Sequence, residues 1–313
     1  MDKIKVYYLG SGDIAVAPLA KLYSSEKIDL VGIGTQPDRP AGRKKVMTPT
    51  PVGIWCDSQD IKIDKPANVN ASEFLAKLAD LAPDVILVVS FGQLLKKEIL
   101  DLPKIACVNI HASLLPKYRG ASPIAAALFN EDKETGLTIM KMDEGLDTGP
   151  EYCKFVYEIG NEKADELESK LSELGANHIE ETLIEIVTGV LKPIPQKSEG
   201  ASYAGKIKKS DGIIDWNNPA SKIIAQIRAF HPWPGAFFTY YGSKQPMKLT
   251  ITSAEVIPDN DDLMPGKTIL ADKTGWIIKC GKDALSITTI KPAGKAEMTA
   301  SEFVRGRPEL REK

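Results

Sequence analysis

Residues 107–149 read CVNIHASLLPKYRGASPIAAALFNEDKETGLTIMKMDEGLDTG, and this stretch decides the fold of the first half of the chain. An apolar run ending at His111 predicts a buried strand, and Leu137 to Met142 predicts a second one. Between them, Ser122 and Pro123 are typical of a helix start, because serine caps the first turn and proline lacks an N–H there. We expect both strand ends and the helix start to meet at the carboxyl edge of a parallel sheet, where open α/β sheets bind ligands.

The residues around this stretch alternate between strand and helix patterns. Residues 3–9 and 28–34 predict strands, and the apolar run from Asp84 to Phe91 predicts a strand covered on both faces. Apolar spacing over 72–82 predicts a helix between the second and third strands. The alternation predicts an α/β fold, a doubly wound, mostly parallel sheet of the Rossmann-like type, with an antiparallel edge strand over 151–159.

The character of the sequence changes after residue 190. Residues 191–207 hold prolines, glycines and charges with little periodicity, which predicts an inter-domain linker. Beyond them, one helix and five short strands separated by turn residues predict a small OB-like β-barrel. We therefore expect an α/β domain over 1–190, a linker over 191–207 and an OB-like domain over 208–313.

The distribution of charge indicates a polyanionic partner. The net charge is only −2, yet residues 203–313 carry 17 Lys and Arg against 12 Asp and Glu. Residues 36–53 form a second basic stretch, in which prolines alternate with Arg39, Arg43, Lys44 and Lys45. We expect neither a regular helix nor a regular strand there. This segment is either a solvated loop or an arm that grips phosphate or the end of a nucleic acid.

Composition narrows the class of protein. A chain that is 43% hydrophobic and 26% charged is typical of a soluble globular protein, and we expect a cytoplasmic one with no membrane span. The four cysteines form no CxxC pair, so we expect free, mostly buried thiols. With three histidines and no Cys/His cluster, we expect no bound metal.

Three polar residues of the opening stretch are candidates for chemistry. Asn109 and His111 are two residues apart on a strand, so their side chains point to the same face. Asp147 follows the next strand, and a histidine with a carboxylate forms an acid–base pair. An amide beside an imidazolium stabilises a developing oxyanion, and no GxSxG nucleophile elbow is present. The set indicates direct acyl transfer to an incoming nucleophile, and the alternative is a core histidine with a surface aspartate.

Several motifs occur in order along the chain. NxHxSLLPKYRGxxPI covers 109–124 and TGLTIMxMxxGLDTG covers 135–149, while TQPDRPAGR begins at Thr35, IDW at Ile214 and RAFHPWPGAF at Arg228. Together these motifs resemble the signature of the folate-dependent formyltransferases. By this resemblance, residues 1–190 are a formyltransferase catalytic domain and 208–313 an OB-like tRNA-binding domain.

The resemblance also implies roles for individual residues. It implies transfer of a formyl group from 10-formyltetrahydrofolate to the amino group of initiator methionyl-tRNA, for translation initiation, by a monomer without a metal. Asn109, His111 and Asp147 match the catalytic residues. The residues implied to bind folate are Ser113, Leu114, Leu115, Pro116, Phe91, Gly92, Gln93 and Leu94. The residues implied to bind tRNA are Arg39, Arg43, Lys44, Lys45, Lys206, Lys208 and Lys209, and the loop around Arg43 resembles an insertion that enters the acceptor stem.

Other functions stay open at this point. The same catalytic block serves formylation of glycinamide ribonucleotide or of an amino-sugar nucleotide, although those relatives lack the TQPDRPAGR loop with four cations. A tRNA-binding module with an inert domain is opposed by the complete Asn109, His111 and Asp147 set. A nicotinamide-dependent oxidoreductase would use the GxGxxA pattern at Gly10 to Ala15, but no acidic residue closes the second strand as such a site requires.

Overall fold

The computed structural model describes residues 2–42, 45–242 and 245–310, so Arg43 and Lys44 lie outside the described residues. The chain divides into two compact units. The first comprises Met1–Pro123, Glu134–Ile159 and Leu167–Ala204, and the second comprises Ile124–Lys133, Gly160–Glu166 and Gly205–Lys313. The exact boundaries of the predicted domains, 1–190 and 208–313, stay a prediction.

Strands and helices alternate up to Ala204, and short strands dominate afterwards. The strands up to Ala204 are β1 Ile4–Gly10, β2 Ile28–Gly34, β3 Arg39–Ala41, β4 Val46–Thr48, β5 Val85–Val89, β6 Ala106–His111, β7 Arg119–Gly120, β8 Glu134–Lys141, β9 Glu151–Glu158 and β10 Tyr203–Ala204. The helices over the same region are α1 Val16–Tyr23, α2 Pro51–Ser58, α3 Ser72–Leu81, α4 Lys97–Leu100, α5 Pro123–Phe129 and α6 Ala164–Val187. The later elements are α7 Ala220–Ala229, β11 Ala236–Tyr240, β12 Met247–Ile257, β13 Thr268–Ala271, β14 Trp276–Lys279, β15 Ala284–Pro292, β16 Met298–Thr299 and α8 Ala300–Arg305. In the part of the chain that the structure describes, no helix has the length and apolar character needed to cross a membrane.

The first unit is built on a six-stranded sheet in the order β2-β1-β5-β6-β8-β9. The strands β2, β1, β5 and β6 are parallel, whereas β8 and β9 are antiparallel to their neighbours. Every residue of β5 and β6 is buried, which explains their continuous apolar runs, since a parallel strand inside a sheet is covered on both faces. The predicted Rossmann-like, mostly parallel sheet with an antiparallel edge strand is confirmed.

The predicted meeting of two strand ends at one sheet edge is wrong. Because β8 runs antiparallel to β6, Thr138 lies opposite His111 and Lys141 lies opposite Val108. The carboxyl end of β8 therefore points away from the end of β6. Side-chain alternation is the same in parallel and antiparallel strands, so the sequence pattern does not record the direction of a strand. The loop after β8, residues 142–150 (the aspartate loop), has to reach back toward His111.

The basic segment contains regular structure, contrary to the prediction. Strands β3 and β4 pair antiparallel as a short hairpin (the basic hairpin, residues 39–42 and 45–48), with Pro40 opposite Met47. Proline is tolerated because, in a two-stranded ribbon, every second residue points its N–H away from the partner strand. The hairpin strands are three residues each, which is too short to leave a periodic pattern in a segment rich in prolines.

The second unit contains an antiparallel sheet in the order β11-β12-β15-β14-β13, with β16 paired to β15. These are the five short strands that the sequence predicts. Their core is aromatic: Trp276, 2% exposed, stacks on Phe303 with ring centroids 5.6 Å apart and meets Tyr240 edge-on. The C-terminal unit is therefore an antiparallel β domain, and its OB-type closure stays a prediction.

All four cysteines are free thiols, as predicted. Cys56, Cys107 and Cys280 are buried and Cys153 is half-buried. Burial raises the pKa of Cys56, Cys153 and Cys280 to about 11 and that of Cys107 to about 12, because a thiolate is poorly solvated in these surroundings.

We expect the folded protein to resist alkylation by iodoacetamide at pH 8. Only the thiolate reacts, so thiols with raised pKa values react slower than an exposed thiol by roughly 100-fold or more. Mass spectrometry after timed exposure measures the extent of modification. All four thiols should react in the unfolded chain, and rapid labelling of the native protein at any of them would contradict the burial described here.

Candidate active site

The site begins with two polar side chains at the end of a buried strand. Asn109 and His111 lie on β6 and are 8% and 6% exposed. Their side chains share one face of the sheet, since residues two apart on a strand point the same way. Most buried polar groups have hydrogen-bond partners, so such a pair in an otherwise apolar strand requires an explanation.

The two ring nitrogens of His111 have different surroundings. Nε2 lies 2.9 Å from the backbone oxygen of Tyr118, and Nδ1 lies 3.7 Å from Oδ2 of Asp147. A carbonyl oxygen only accepts, so Nε2 carries the hydrogen of the neutral ring. At 3.7 Å, Nδ1 and the carboxylate are close enough for an ion pair when the ring is protonated, yet too far for a direct hydrogen bond.

Asp147 is held in place by a backbone amide. Its Oδ2 accepts a hydrogen bond of 2.7 Å from the N–H of Gly120, and its own backbone lies in the left-handed region with φ of +53°. Gly120 has φ of +110°, and a Cβ at that position would lie 2.6 Å from the backbone oxygen of Ala204. Only glycine therefore allows this backbone to bring its N–H to the carboxylate.

The loop that carries Tyr118 and Gly120 is supported by part of the predicted linker. Residues 196–204 (the supporting segment) end in β10, which pairs in parallel with β7. Ser202 Oγ accepts a 2.9 Å bond from the N–H of Tyr118, and Ser202 O accepts one of 2.8 Å from the N–H of Arg119. Single polar residues in a non-periodic stretch leave no pattern in the sequence. The one signal of this role is the uncharged run Ala201–Ala204, which interrupts the charged residues of the predicted linker.

The predicted folate loop, residues 113–116, is locked by internal bonds. Ser113 is fully buried, its Oγ donates to the backbone oxygen of Lys117 at 2.6 Å, and its own carbonyl accepts from Thr138 Oγ1 at 2.7 Å. Leu115 is also buried, whereas Leu114 and Pro116 are half-buried. Ser113 and Leu115 therefore shape the loop, and Leu114 and Pro116 are the members with accessible surface.

The second predicted folate segment, residues 91–94, follows β5 at the same sheet edge as His111, because Val88 pairs with Asn109 on parallel strands. Phe91 is buried, and Gln93 is bonded to the backbone of Val69 and of Pro66 at 2.8 and 3.0 Å. Gly92 has φ of +84° and is exposed, and Leu94 is 65% exposed. Leu94 is therefore the apolar side chain of this segment that is exposed to solvent.

The predicted tRNA-binding cations are distributed over both units. In the basic hairpin, Lys45 is exposed and Arg39 donates to Gln36 Oε1 at 2.9 Å, while Arg43 and Lys44 lie outside the described residues. In the second unit, Lys206, Lys208 and Lys209 are exposed. Over the described ranges, no three His, Cys, Asp or Glu side chains cluster closely enough to hold a metal ion.

The hydrogen bond to Tyr118 predicts which ring nitrogen of neutral His111 carries the hydrogen. In its neutral form, His111 should carry hydrogen on Nε2 and none on Nδ1, because the partner of Nε2 is an obligate acceptor. ¹⁵N NMR of histidine-labelled protein can measure this, since the chain has three histidines and the His111 signals are assigned by their loss in His111→Asn. A neutral ring protonated on Nδ1 would contradict the described site.

The chain matches known families over most of its length. A family model described as formyl transferase matches residues 2–183, and one described as formyl transferase, C-terminal domain, matches residues 206–308. Methionyl-tRNA formyltransferase of Aromatoleum aromaticum is 41% identical over 307 residues, which cover 97% of this chain and 95% of the relative. The protein of that name from Halothermothrix orenii is also 41% identical, over 312 residues that cover 97% of each chain.

Solved structures share the fold at lower identity. An N-formyltransferase of Helicobacter canadensis, solved with folinic acid and dTDP-3-aminofucose, matches with a TM-score of 0.64 at 17% identity, over 91% of this chain and 99% of that one. HypX of Aquifex aeolicus with tetrahydrofolic acid matches with a TM-score of 0.56 at 16% identity, over 80% of this chain and 44% of that one, so this chain spans less than half of HypX. At these identities the likeness shows the fold alone. The two family models and the relatives of 41% identity show that the chain belongs to the formyl transferases and, within them, to the methionyl-tRNA formyltransferase family.

Proposed function

We propose that this chain transfers the formyl group of 10-formyltetrahydrofolate to the amino group of initiator methionyl-tRNA. The observation that carries the proposal is the pair of His111 and Asp147, 3.7 Å apart beside Asn109, in a chain whose relatives of about 40% identity are named for this activity. We infer that the protein acts as a monomer in the cytoplasm, where translation starts.

The described residues fit a folate donor. Met142, at the start of the aspartate loop, packs against the core cluster that contains Phe91 and Leu95, so this loop and the segment after β5 are neighbours. Leu94 is 65% and Leu146 is 55% exposed, which provides apolar surface for a flat ring. The half-buried Leu114 and Pro116 add to this surface. When bound, the donor supplies a formyl carbonyl that is open to attack by an amine.

The side chains of the site have separate tasks in the reaction. The α-amine of an aminoacyl group has a pKa near ~7.7–8.0, so a large part of it is the neutral nucleophile at neutral pH. Asn109 donates an amide N–H to the formyl oxygen, where negative charge develops, and protonated His111 adds its positive charge. Asp147 pairs with the imidazolium and receives the proton that the attacking nitrogen loses. The amine adds to the formyl carbon, the bond from that carbon to N10 then breaks, and N10 leaves as a neutral amine carrying the proton that the attacking nitrogen lost.

The test is a formyl-transfer assay with three acceptors. We expect N-formylmethionyl-tRNA from radiolabelled initiator methionyl-tRNA and 10-formyltetrahydrofolate, and no product from glycinamide ribonucleotide or an amino-sugar nucleotide. Efficient formylation of either small acceptor, with methionyl-tRNA left unmodified, would contradict the proposal.

Asp147→Asn should lower kcat by roughly 10²–10⁴-fold, the usual contribution of a positioned proton-transfer group. The asparagine keeps an oxygen that can accept from Gly120, so the loop keeps its shape while the charge is lost. Steady-state kinetics measure the effect, and binding of the folate donor should be unchanged. The control is Asp101→Asn, which removes a carboxylate that is 63% exposed and paired with Lys97. A kcat for Asp147→Asn within a few-fold of wild type would refute the role.

We further propose that the basic hairpin and the C-terminal β domain hold the tRNA. The supporting observations are the exposed Lys45 on the hairpin and the exposed Lys206, Lys208 and Lys209 in the second unit. Lysines of this kind bind phosphates without reading sequence, and each one that does so contributes to the salt dependence of binding.

Lys45→Gln should raise the KM for tRNA and reduce the slope of log K against log salt concentration by about 1, because one phosphate contact is lost. The KM for the folate donor should not change. Lys3→Gln removes an exposed cation outside the hairpin and serves as the matched control. Kinetics at several salt concentrations measure the slope, and an equal loss for both substrates would argue against a contact specific to tRNA.

A further inference from the structure

Gln196 bridges the aspartate loop and the loop after His111. Its Nε2 donates to the backbone oxygen of Asp147 at 2.9 Å and to that of Gly149 at 2.7 Å. Its Oε1 accepts from Nε of Arg119 at 3.1 Å and from Nη2 of the same guanidinium at 2.8 Å. All four groups belong to the first unit.

The hydrogen bonds of Gln196 determine which way its amide faces. An amide has two N–H donors and one oxygen with two lone pairs, and here every one of them has a partner. A flipped amide would place oxygen against the two carbonyls and N–H groups against the guanidinium of Arg119, which are unfavourable contacts. Two N–H groups of the Arg119 guanidinium converge on the one amide oxygen of Gln196 and occupy both of its lone pairs.

The aspartate loop has few other ways to hold Asp147 in position. Its residues 143–146 are exposed, and the bonds of Asp143, from Gly145 N and Thr148 Oγ1, stay inside the loop. Asp147 also keeps a left-handed backbone, which costs about 1 kcal/mol for a residue with a side chain and persists only when neighbours enforce it. An external tie to the Asp147 backbone therefore adds to the Gly120 bond in orienting the carboxylate.

Gln196 supplies this tie, and it is anchored next to the residue that binds the Asp147 carboxylate. Arg119, which binds its oxygen, precedes Gly120, whose N–H binds Asp147 Oδ2 at 2.7 Å. The backbone and the side chain of Asp147 are thus attached to adjacent residues of β7. We propose, on the basis of the proposed function, that Gln196 is a positioning residue for formyl transfer, which sets the placement of the Asp147 carboxylate beside His111.

Two substitutions of Gln196 separate its two contacts. Gln196→Ala removes all four hydrogen bonds, whereas Gln196→Glu can still accept from Arg119 but has no N–H for the aspartate loop. If positioning of the loop matters, both variants should lower kcat by about 10–100-fold, the scale of a small misplacement of a reacting group. The KM for tRNA and for the folate donor should change far less than kcat. Glu199→Gln, an exposed change in the same segment, should behave as wild type.

A double-mutant cycle with Asp147→Asn distinguishes positioning from general destabilisation. If Gln196 acts through the Asp147 carboxylate, Gln196→Ala should cost less than about 3-fold in kcat once that carboxylate is gone. A full additional loss in that background, or wild-type kcat in both single variants, would overturn the inference. If Gln196→Ala does not fold, as judged by its thermal unfolding, the cycle is run with Gln196→Glu. A wild-type protein that transfers no formyl group would instead refute the proposed function.

Discussion

The hydrogen bond from the Gly120 N–H to Asp147 Oδ2 is the contact on which the geometry of the site depends. Asp147 lies on a loop that leaves β8 at the end remote from His111, so the strand itself cannot place the carboxylate. Gly120 can reach it because the loop after β6 is held by β10, where Ala204 pairs with Gly120. A hydrogen bond to an ionised carboxylate is about twice as strong as one between neutral groups. The placement of Asp147 beside His111 therefore depends on three chain segments together.

The same three segments restrict His111. Its Nε2 is bonded to Tyr118 O, and the N–H of Tyr118 is bonded to Ser202, so the ring is oriented through the supporting segment. Tyr118 has φ of +59°, a conformation that a bulky residue adopts only where its neighbours impose it. Because Nε2 is bonded to the backbone, Nδ1 is the ring nitrogen that faces Asp147.

Much of the fold, and part of the site, follows from the sequence. Continuous apolar runs predicted β5 and β6, alternation within β6 placed Asn109 and His111 on one face, and turn spacing predicted the five C-terminal strands. The direction of β8 was not predictable, since a strand has the same period in either direction. Gln196 and Ser202 were missed because a residue that acts through one amide or one hydroxyl gives no periodic or compositional signal in the sequence. The basic hairpin was missed because its strands are only three residues long.

The central claim is that Asn109, His111 and Asp147 surround the carbonyl that is transferred. A crystal structure of the protein with a stable 10-formyl folate analogue tests it most directly. We predict that the formyl oxygen lies about 3 Å from the amide nitrogen of Asn109 or from Nδ1 of His111. A folate bound with its formyl group beyond hydrogen-bond reach of both side chains would contradict it.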